Sequence, residues 1–210
     1  MTSPTSGNAS GPGTTPIGRA RLTTPGEITM VKSIVKDAVD PTRVLIHHNG
    51  GFPSDLQDEN TTVTPDGEMY WPKNIFKEDF LAASDTDGKR WFMHKMTHVW
   101  QHQMGMNAIV NGIFSKYVTK YALVDYRLLS DYRMESQADI IADYYNLSVN
   151  GLNAWKSWKR MDTSQASKIA KKGIPAMLAI YPKTLSLFLA GPKNKDCLFA
   201  HYGPRSGRDR

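Results

Sequence analysis

Two histidines four positions apart, His94 and His98, stand in the run Phe92-Met93-His94-Lys95-Met96-Thr97-His98-Val99-Trp100-Gln101, which contains no glycine or proline. Positions i and i+4 of an α-helix lie one turn apart on the same face, so both imidazoles can reach a single tetrahedral zinc ion at about 2.0–2.1 Å each. Lys89 to Met104 has helical character and Gly105 is a natural stop, which predicts one helix carrying His94, His98 and His102 in a row. Three successive turns do not converge on one ion, so His102 is not counted as a ligand. The pair of histidines puts this helix at the base of a cleft, and a third ligand must come from elsewhere.

That ligand has a candidate in Tyr132-Arg133-Met134-Glu135-Ser136-Gln137-Ala138-Asp139, a second helical pattern. Glu135 and Asp139 share a face of it. Glu135 can serve as the third ligand, while Asp139, one turn on, can accept the free ring N–H of a ligand histidine and fix its tautomer. Two His, one Glu and one open position make a catalytic type of zinc sphere. The alternative is that Glu135, Asp139 and Asp143 form a solvated acidic face beside Arg133.

Composition narrows the chemistry. Cys197 is the single cysteine of the 210 residues, which excludes an intramolecular disulfide and a cysteine-rich metal site. An apolar fraction of 40% suits one well-buried core. The net charge of +6 would suit an anionic partner, but the basic residues are scattered rather than gathered in an arm, so no nucleic-acid partner is expected. The N-terminus lacks a basic start followed by an apolar run, so export would need a route other than a signal peptide.

Residues 1–23 are rich in Ser, Thr, Gly and Pro and read as a flexible linker or a severed end; residues 24–203 read as one domain, and 204–210 as a basic tail. Thr24-Pro25-Gly26-Glu27 predicts a capping box opening an amphipathic helix. Arg43 to His48 predicts a strand, and Thr61 to Pro72 a hairpin around Pro65-Asp66-Gly67. Further helices are expected over Ala108 to Lys120, Asp125 to Asn146 and Leu152 to Trp158. Ile174 to Ala190 is the most hydrophobic segment, but it is short for a membrane span, carries Lys183 and is interrupted by Pro182, so it reads as a kinked core helix. The expected class is α+β, a small antiparallel sheet packed on a mainly helical body.

The stretch His94, Thr97, His98, Val99, Trp100 and Gln101 resembles the H-E-[LM]-T-H-V-W-Q helix of gluzincin-type metallopeptidases, including the metallopeptidase effector domains of bacterial type VI secretion spike proteins. The Glu135 to Asp139 spacing is similar to the gluzincin third-ligand helix. Gly26-Glu27-Ile28, the Gly50-Gly51-Phe52-Pro53 turn and Thr64-Pro65-Asp66-Gly67 before an aromatic-rich strand are similar too. The resemblance implies a zincin-like fold, with His94, His98 and Glu135 as Zn²⁺ ligands and Asp139 as the partner of a ligand ring. It also implies an antibacterial effector delivered into a neighbour's periplasm, with a peptide or cell-envelope protein as substrate, and an immunity protein and a secretion spike protein as partners.

At one position the sequence departs from this pattern. The second residue of the HExxH motif is a Glu that takes a proton from the activated water, and here it is Lys95. A protonated lysine cannot accept a proton, and a cation about 6 Å from Zn²⁺ at an effective dielectric of about 20 is opposed by several kcal/mol. The same repulsion, with desolvation, lowers the lysine pKa, and a neutral amine could act as base. Glu68 and Asp143 are the nearest substitute carboxylates. The expectation is a strongly impaired peptidase that keeps its fold and metal sphere. Two other functions fit the residues: a non-catalytic binding module favoured by Lys95, and membrane disruption by Ile174 to Ala190. His47 and His48 read as hydrogen-bonding surface residues or cleft liners, Tyr132, Tyr144 or Tyr202 as oxyanion donors, and Trp71, Trp91 and Trp100 as core or cleft wall.

Overall fold

Helix α1 (Pro25–Val35) begins as its capping box dictates: the Thr24 hydroxyl accepts from Glu27 N at 3.1 Å and the Glu27 carboxylate accepts from Thr24 N at 2.9 Å. In this computed structural model, which describes residues 13–49, 62–82, 84–106, 121, 123–124, 126–161, 171 and 173–199, Glu27 does more than cap. Fully buried, it takes two 2.8 Å hydrogen bonds from Arg21 and one of 3.0 Å from Phe80 N. One carboxylate thereby joins α1, the strand before it and the loop that leads to the histidine helix.

That strand, β1 (Ala20–Leu22), pairs antiparallel with β2 (Leu45–His48), with Arg21 opposite Ile46. β3 (Met69–Trp71) lies on the other side of β2 and runs parallel to it, with Ile46 opposite Met69. The sheet is therefore mixed, and the expectation of an antiparallel sheet is corrected in this pair. The reason lies in the hairpin: Val63 and Tyr70 exchange backbone hydrogen bonds across Pro65-Asp66-Gly67, so β3 emerges from that turn running in the direction of β2. Ile46, Met69 and Trp71 carry one face of the sheet into the core. The class is α+β.

Helix α2 (Thr86–Gln103) is started by Asp85, whose carboxylate accepts from Asp87 N and Gly88 N, both at 3.0 Å. A Cβ at Gly88 would sit 2.7 Å from the Asp85 carboxylate and 2.8 Å from Lys77 Nζ, so a larger residue there would displace that ion pair. The helix stops where expected, at Gly105 with φ +95°. Every residue from Phe92 to Gln101 is buried. Met93, Met96 and Val99 are without exposed surface, and side chains of this size each contribute about 1.5–3 kcal/mol on burial.

Helix α3 (Met134–Tyr145) packs along α2, and a π-helical turn Asn146–Asn150 continues it. The helix expected from Asp125 is shorter than that. Leu129–Asp131 is a 3₁₀ turn, and Tyr132 and Arg133 are extended (ψ 152° and 158°). Asp131 accepts from Leu128 N at 2.9 Å, a local bond that competes with helix, and Tyr132 is anchored by Val124 N donating to its hydroxyl at 3.2 Å. Helix α4 (Leu152–Met161) follows as expected.

Ile174 to Ala190 forms two helices, α5 (Ile174–Thr184) and α6 (Ser186–Ala190), broken at Leu185. Met177, Ile180, Tyr181, Leu185 and Phe188 are buried at helical spacing, which is the signature of a core element. Among the described residues no helix is long and apolar enough to cross a membrane. The expected helix over Ala108 to Lys120, the Gly50-Gly51-Phe52-Pro53 turn, most of the leading linker and the 204–210 tail lie outside the described residues.

Candidate metal centre

The packing of α3 on α2 brings Glu135 to the two histidines. His94 Nε2 and His98 Nε2 are 3.1 Å apart, and Glu135 Oε2 lies 3.3 Å and 3.2 Å from them respectively. A tetrahedral ion with bonds of about 2.0–2.1 Å separates its ligand atoms by about 3.3–3.4 Å, so the triangle has the dimensions of one face of a zinc tetrahedron. Among the described residues this is the group of His, Cys, Asp and Glu able to hold a metal.

The far side of each ring fixes which nitrogen carries the proton. His94 Nδ1 lies 3.0 Å from Asp139 Oδ1, a carboxylate that can only accept. The tautomer of His98 follows from a chain of amides. Gln137 Nε2 donates to the backbone carbonyls of Tyr132 (2.9 Å) and Leu198 (3.0 Å), so its oxygen is free to accept from Gln101 Nε2 at 2.9 Å. Gln101 Nε2 also donates to Met134 O at 3.0 Å, which turns its own oxygen to His98 Nδ1 at 2.7 Å. Both Nδ1 atoms therefore donate, and both Nε2 lone pairs point at each other and at a carboxylate. With both rings neutral, three acceptors converge on one point, and the residues present fit a divalent metal.

Burial works against ionising Glu135, but the His98 and His94 imidazoles hold its carboxyl far below the usual carboxylate range. Burial lowers His98, whereas at His94 the Asp139 carboxylate overrides burial and raises the ring. Asp139 is itself held low, against burial, mainly by Arg90, whose Nη2 donates to Asp139 Oδ1 at 2.8 Å. Lys95, 8% exposed, has its pKa pushed down by burial, while Glu135 and Asp139 pull in the other direction.

Other expected residues fall elsewhere. His102 faces solvent and packs on the hairpin turn, where a Cβ on Gly67 would meet its ring at 2.7 Å. His47 Nε2 bonds Glu68 at 2.6 Å and its ring stacks on Tyr70, while His48 stacks on Phe76. Both behave as hydrogen-bonded structural residues, and Glu68 is engaged with His47. Asp143 is fully buried and bound to Arg90, Lys159 and Tyr121, which removes it as a substitute base. Trp71 and Trp100 are core; Trp91 is 41% exposed, with its ring edge-on to His94 at 5.7 Å. Tyr202 lies outside the described residues. Gln101, Gln137, Arg90 and Lys159 were not singled out in the sequence. A glutamine three residues after the second histidine, on the ligand face, was the signal for the first of them.

No family model matches the sequence. The chain is 30% identical over 133 residues to the type VI secretion system spike protein VgrG2b of Pseudomonas aeruginosa, a match covering 60% of this chain and 13% of that protein. It is thus similar to a small part of a much longer relative. The solved effector domain of Pseudomonas aeruginosa VgrG2b superposes with a TM-score of 0.56 at 27% identity, over 66% of this chain and 80% of that domain. Sequence and fold together make the chain a homologue of that effector domain.

Proposed function

We propose that this chain is a zinc-dependent, metallopeptidase-fold effector domain in which Lys95 leaves amide hydrolysis strongly impaired. The observation that carries the zinc reading is the triangle of 3.1–3.3 Å between His94 Nε2, His98 Nε2 and Glu135 Oε2. Kinship with the VgrG2b effector domain supports the effector role. In that role the domain is carried by a spike protein into a target cell without a signal peptide. There it meets a peptide or cell-envelope protein in the periplasm, and an immunity protein protects the producer.

Zinc, when bound, supplies Lewis-acid polarisation of a peptide carbonyl and a water of lowered pKa. The chain's own residues do the rest. His94, His98 and Glu135 would hold the ion, and Asp139 and Gln101 keep the two rings turned with Nε2 inward. At the base position the Lys95 ammonium has no lone pair to receive a proton, and Glu68 and Asp143 are engaged with other partners. The scissile bond can be polarised, but while Lys95 is protonated proton removal lacks an acceptor, and only the neutral amine, which its burial favours, could take the proton.

A second reading is a non-catalytic binding module, favoured by the buried Lys95 at that position. The deciding experiment is zinc content by elemental analysis on the protein and on Lys95→Glu, with peptide cleavage assayed on both. Zinc in both and cleavage only after Lys95→Glu supports the impaired peptidase; zinc in both without cleavage in either favours the binding module. Absence of zinc from both sinks the metal centre.

A further inference from the structure

Arg90 lies one turn before His94 on α2, and its side chain is 2% exposed. Its Nη2 donates at 2.8 Å to Asp139 Oδ1, the same oxygen that faces His94 Nδ1 at 3.0 Å. Its Nε donates at 2.7 Å to Asp143 Oδ1, and its guanidinium lies over the Trp158 ring, 4.0 Å from the centroid. Asp143 has no exposed surface. Its second oxygen receives Lys159 Nζ and the Tyr121 hydroxyl, and Lys159 Nζ also donates to that hydroxyl at 2.9 Å.

Two carboxylates and two cations thus form one row from the metal centre to α4, with Arg90, Asp143 and Lys159 buried and Asp139 half-buried at its outer end. Stability alone is a poor reason for them, since buried ion clusters replaced by apolar side chains of similar volume often leave a protein as stable or more so. Geometry offers a better reason. The guanidinium is gripped by Asp143 on one arm and by the Trp158 face, so its other arm is aimed at a single oxygen of Asp139. That oxygen sets the orientation of a ligand ring. A lysine at position 90 could not make this two-armed, planar contact.

We propose that Arg90, Asp143 and Lys159 are positioning residues of the metal centre: Lys159 anchors Asp143, Asp143 orients Arg90, and Arg90 holds Asp139 against His94. This rests on the zinc reading above. It makes α4, which follows the stretch resembling gluzincins, a working part of the site although it supplies no ligand.

The test uses the full chain and three variants, Lys159→Met, Lys159→Arg and Asp143→Asn/Lys159→Met. Zinc affinity is measured by competition with a chromophoric chelator, ligand geometry by the visible spectrum of the Co²⁺-loaded protein, and folding of the metal-free protein by near-UV circular dichroism. Lys159→Met is expected to weaken zinc binding about tenfold and to change the cobalt spectrum, and Lys159→Arg to restore both. If Lys159→Met does not fold, the double variant, which removes both charges together, is expected to show the same loss. A folded Lys159→Met or double variant with zinc affinity within roughly twofold of the parent and an unchanged cobalt spectrum overturns the inference while leaving the metal centre standing. Failure of the parent itself to take up either metal overturns the zinc reading and the inference with it.

Discussion

Gln101 Oε1 accepts from His98 Nδ1 at 2.7 Å, and its orientation is inherited from two backbone carbonyls through Gln137. A neutral amide thus does for His98 what the Asp139 carboxylate does for His94. Gln101→Leu keeps the size of the side chain and loses the acceptor. Zinc affinity is expected to fall about 10- to 100-fold, read by chelator competition. An unchanged affinity in the folded variant would show that the His98 tautomer is set by something else.

Lys95→Glu restores an acceptor next to the open position. Peptide hydrolysis is expected to rise by about 10²- to 10⁴-fold over the parent, with zinc content unchanged. The check is a fluorogenic peptide library assayed with and without chelator. A variant that holds zinc and cleaves nothing would favour the binding module.

Chelation should lower the melting temperature without abolishing the fold, because Met93, Met96 and Val99 bury α2 independently of any ion. Free zinc at about 100 times its dissociation constant contributes about 2.7 kcal/mol, equivalent to about 5–10 °C for a chain of this size. Calorimetry with EDTA and with added zinc measures it directly. A melting temperature indifferent to both would count against a bound metal.

Asp139 supplies a pH dependence whose sign can be worked out. Its folded pKa is held below the ordinary value by Arg90 and His94 in spite of burial. Its contribution to stability is therefore fully present above an unfolded pKa of about 3.9 and is lost as pH falls through the lower folded value. Urea midpoints of the metal-free protein between about pH 6 and pH 2 should fall less steeply in Asp139→Asn than in the parent. Parallel curves would mean that the carboxylate gains nothing from its partners.

Glu27→Ala takes from Arg21 its buried carboxylate partner, leaving Glu78 at 4.0 Å, and removes acceptors from Thr24 N and Phe80 N. Breaking such a buried pair from one side is expected to cost about 3–5 kcal/mol, measured by chemical denaturation. A loss below about 1 kcal/mol would reduce Glu27 to an ordinary helix cap.

The capping box at Thr24, the stop at Gly105 and the inward row of His94 and His98 were legible because each depends on residues within a turn or two of each other, where backbone geometry leaves little choice. The spacing of Glu135 and Asp139 was legible for the same reason, and so was the α+β class. Local pattern said less about pairing. The parallel run of β3 beside β2 follows from a hairpin that turns before it pairs, and strand composition is the same in either direction. The start of α3 at Met134 was set by Tyr132 finding a partner in Val124.

By itself, then, the sequence determined which side chains share a helix face, which ends are capped and which chemistry the donors can offer, because these follow from 3.6 residues per turn and from side-chain type. Only the tertiary structure decided that Glu135 meets the two histidines, that Gln101 and Asp139 lock their rings, and that Lys159 reaches Asp143 from another helix. Those contacts join residues from 16 to 45 positions apart, apart from the local bond of Gln101. Which of them form is set by how the buried faces of α2, α3 and α4 fit together, and no periodicity along the chain encodes that fit.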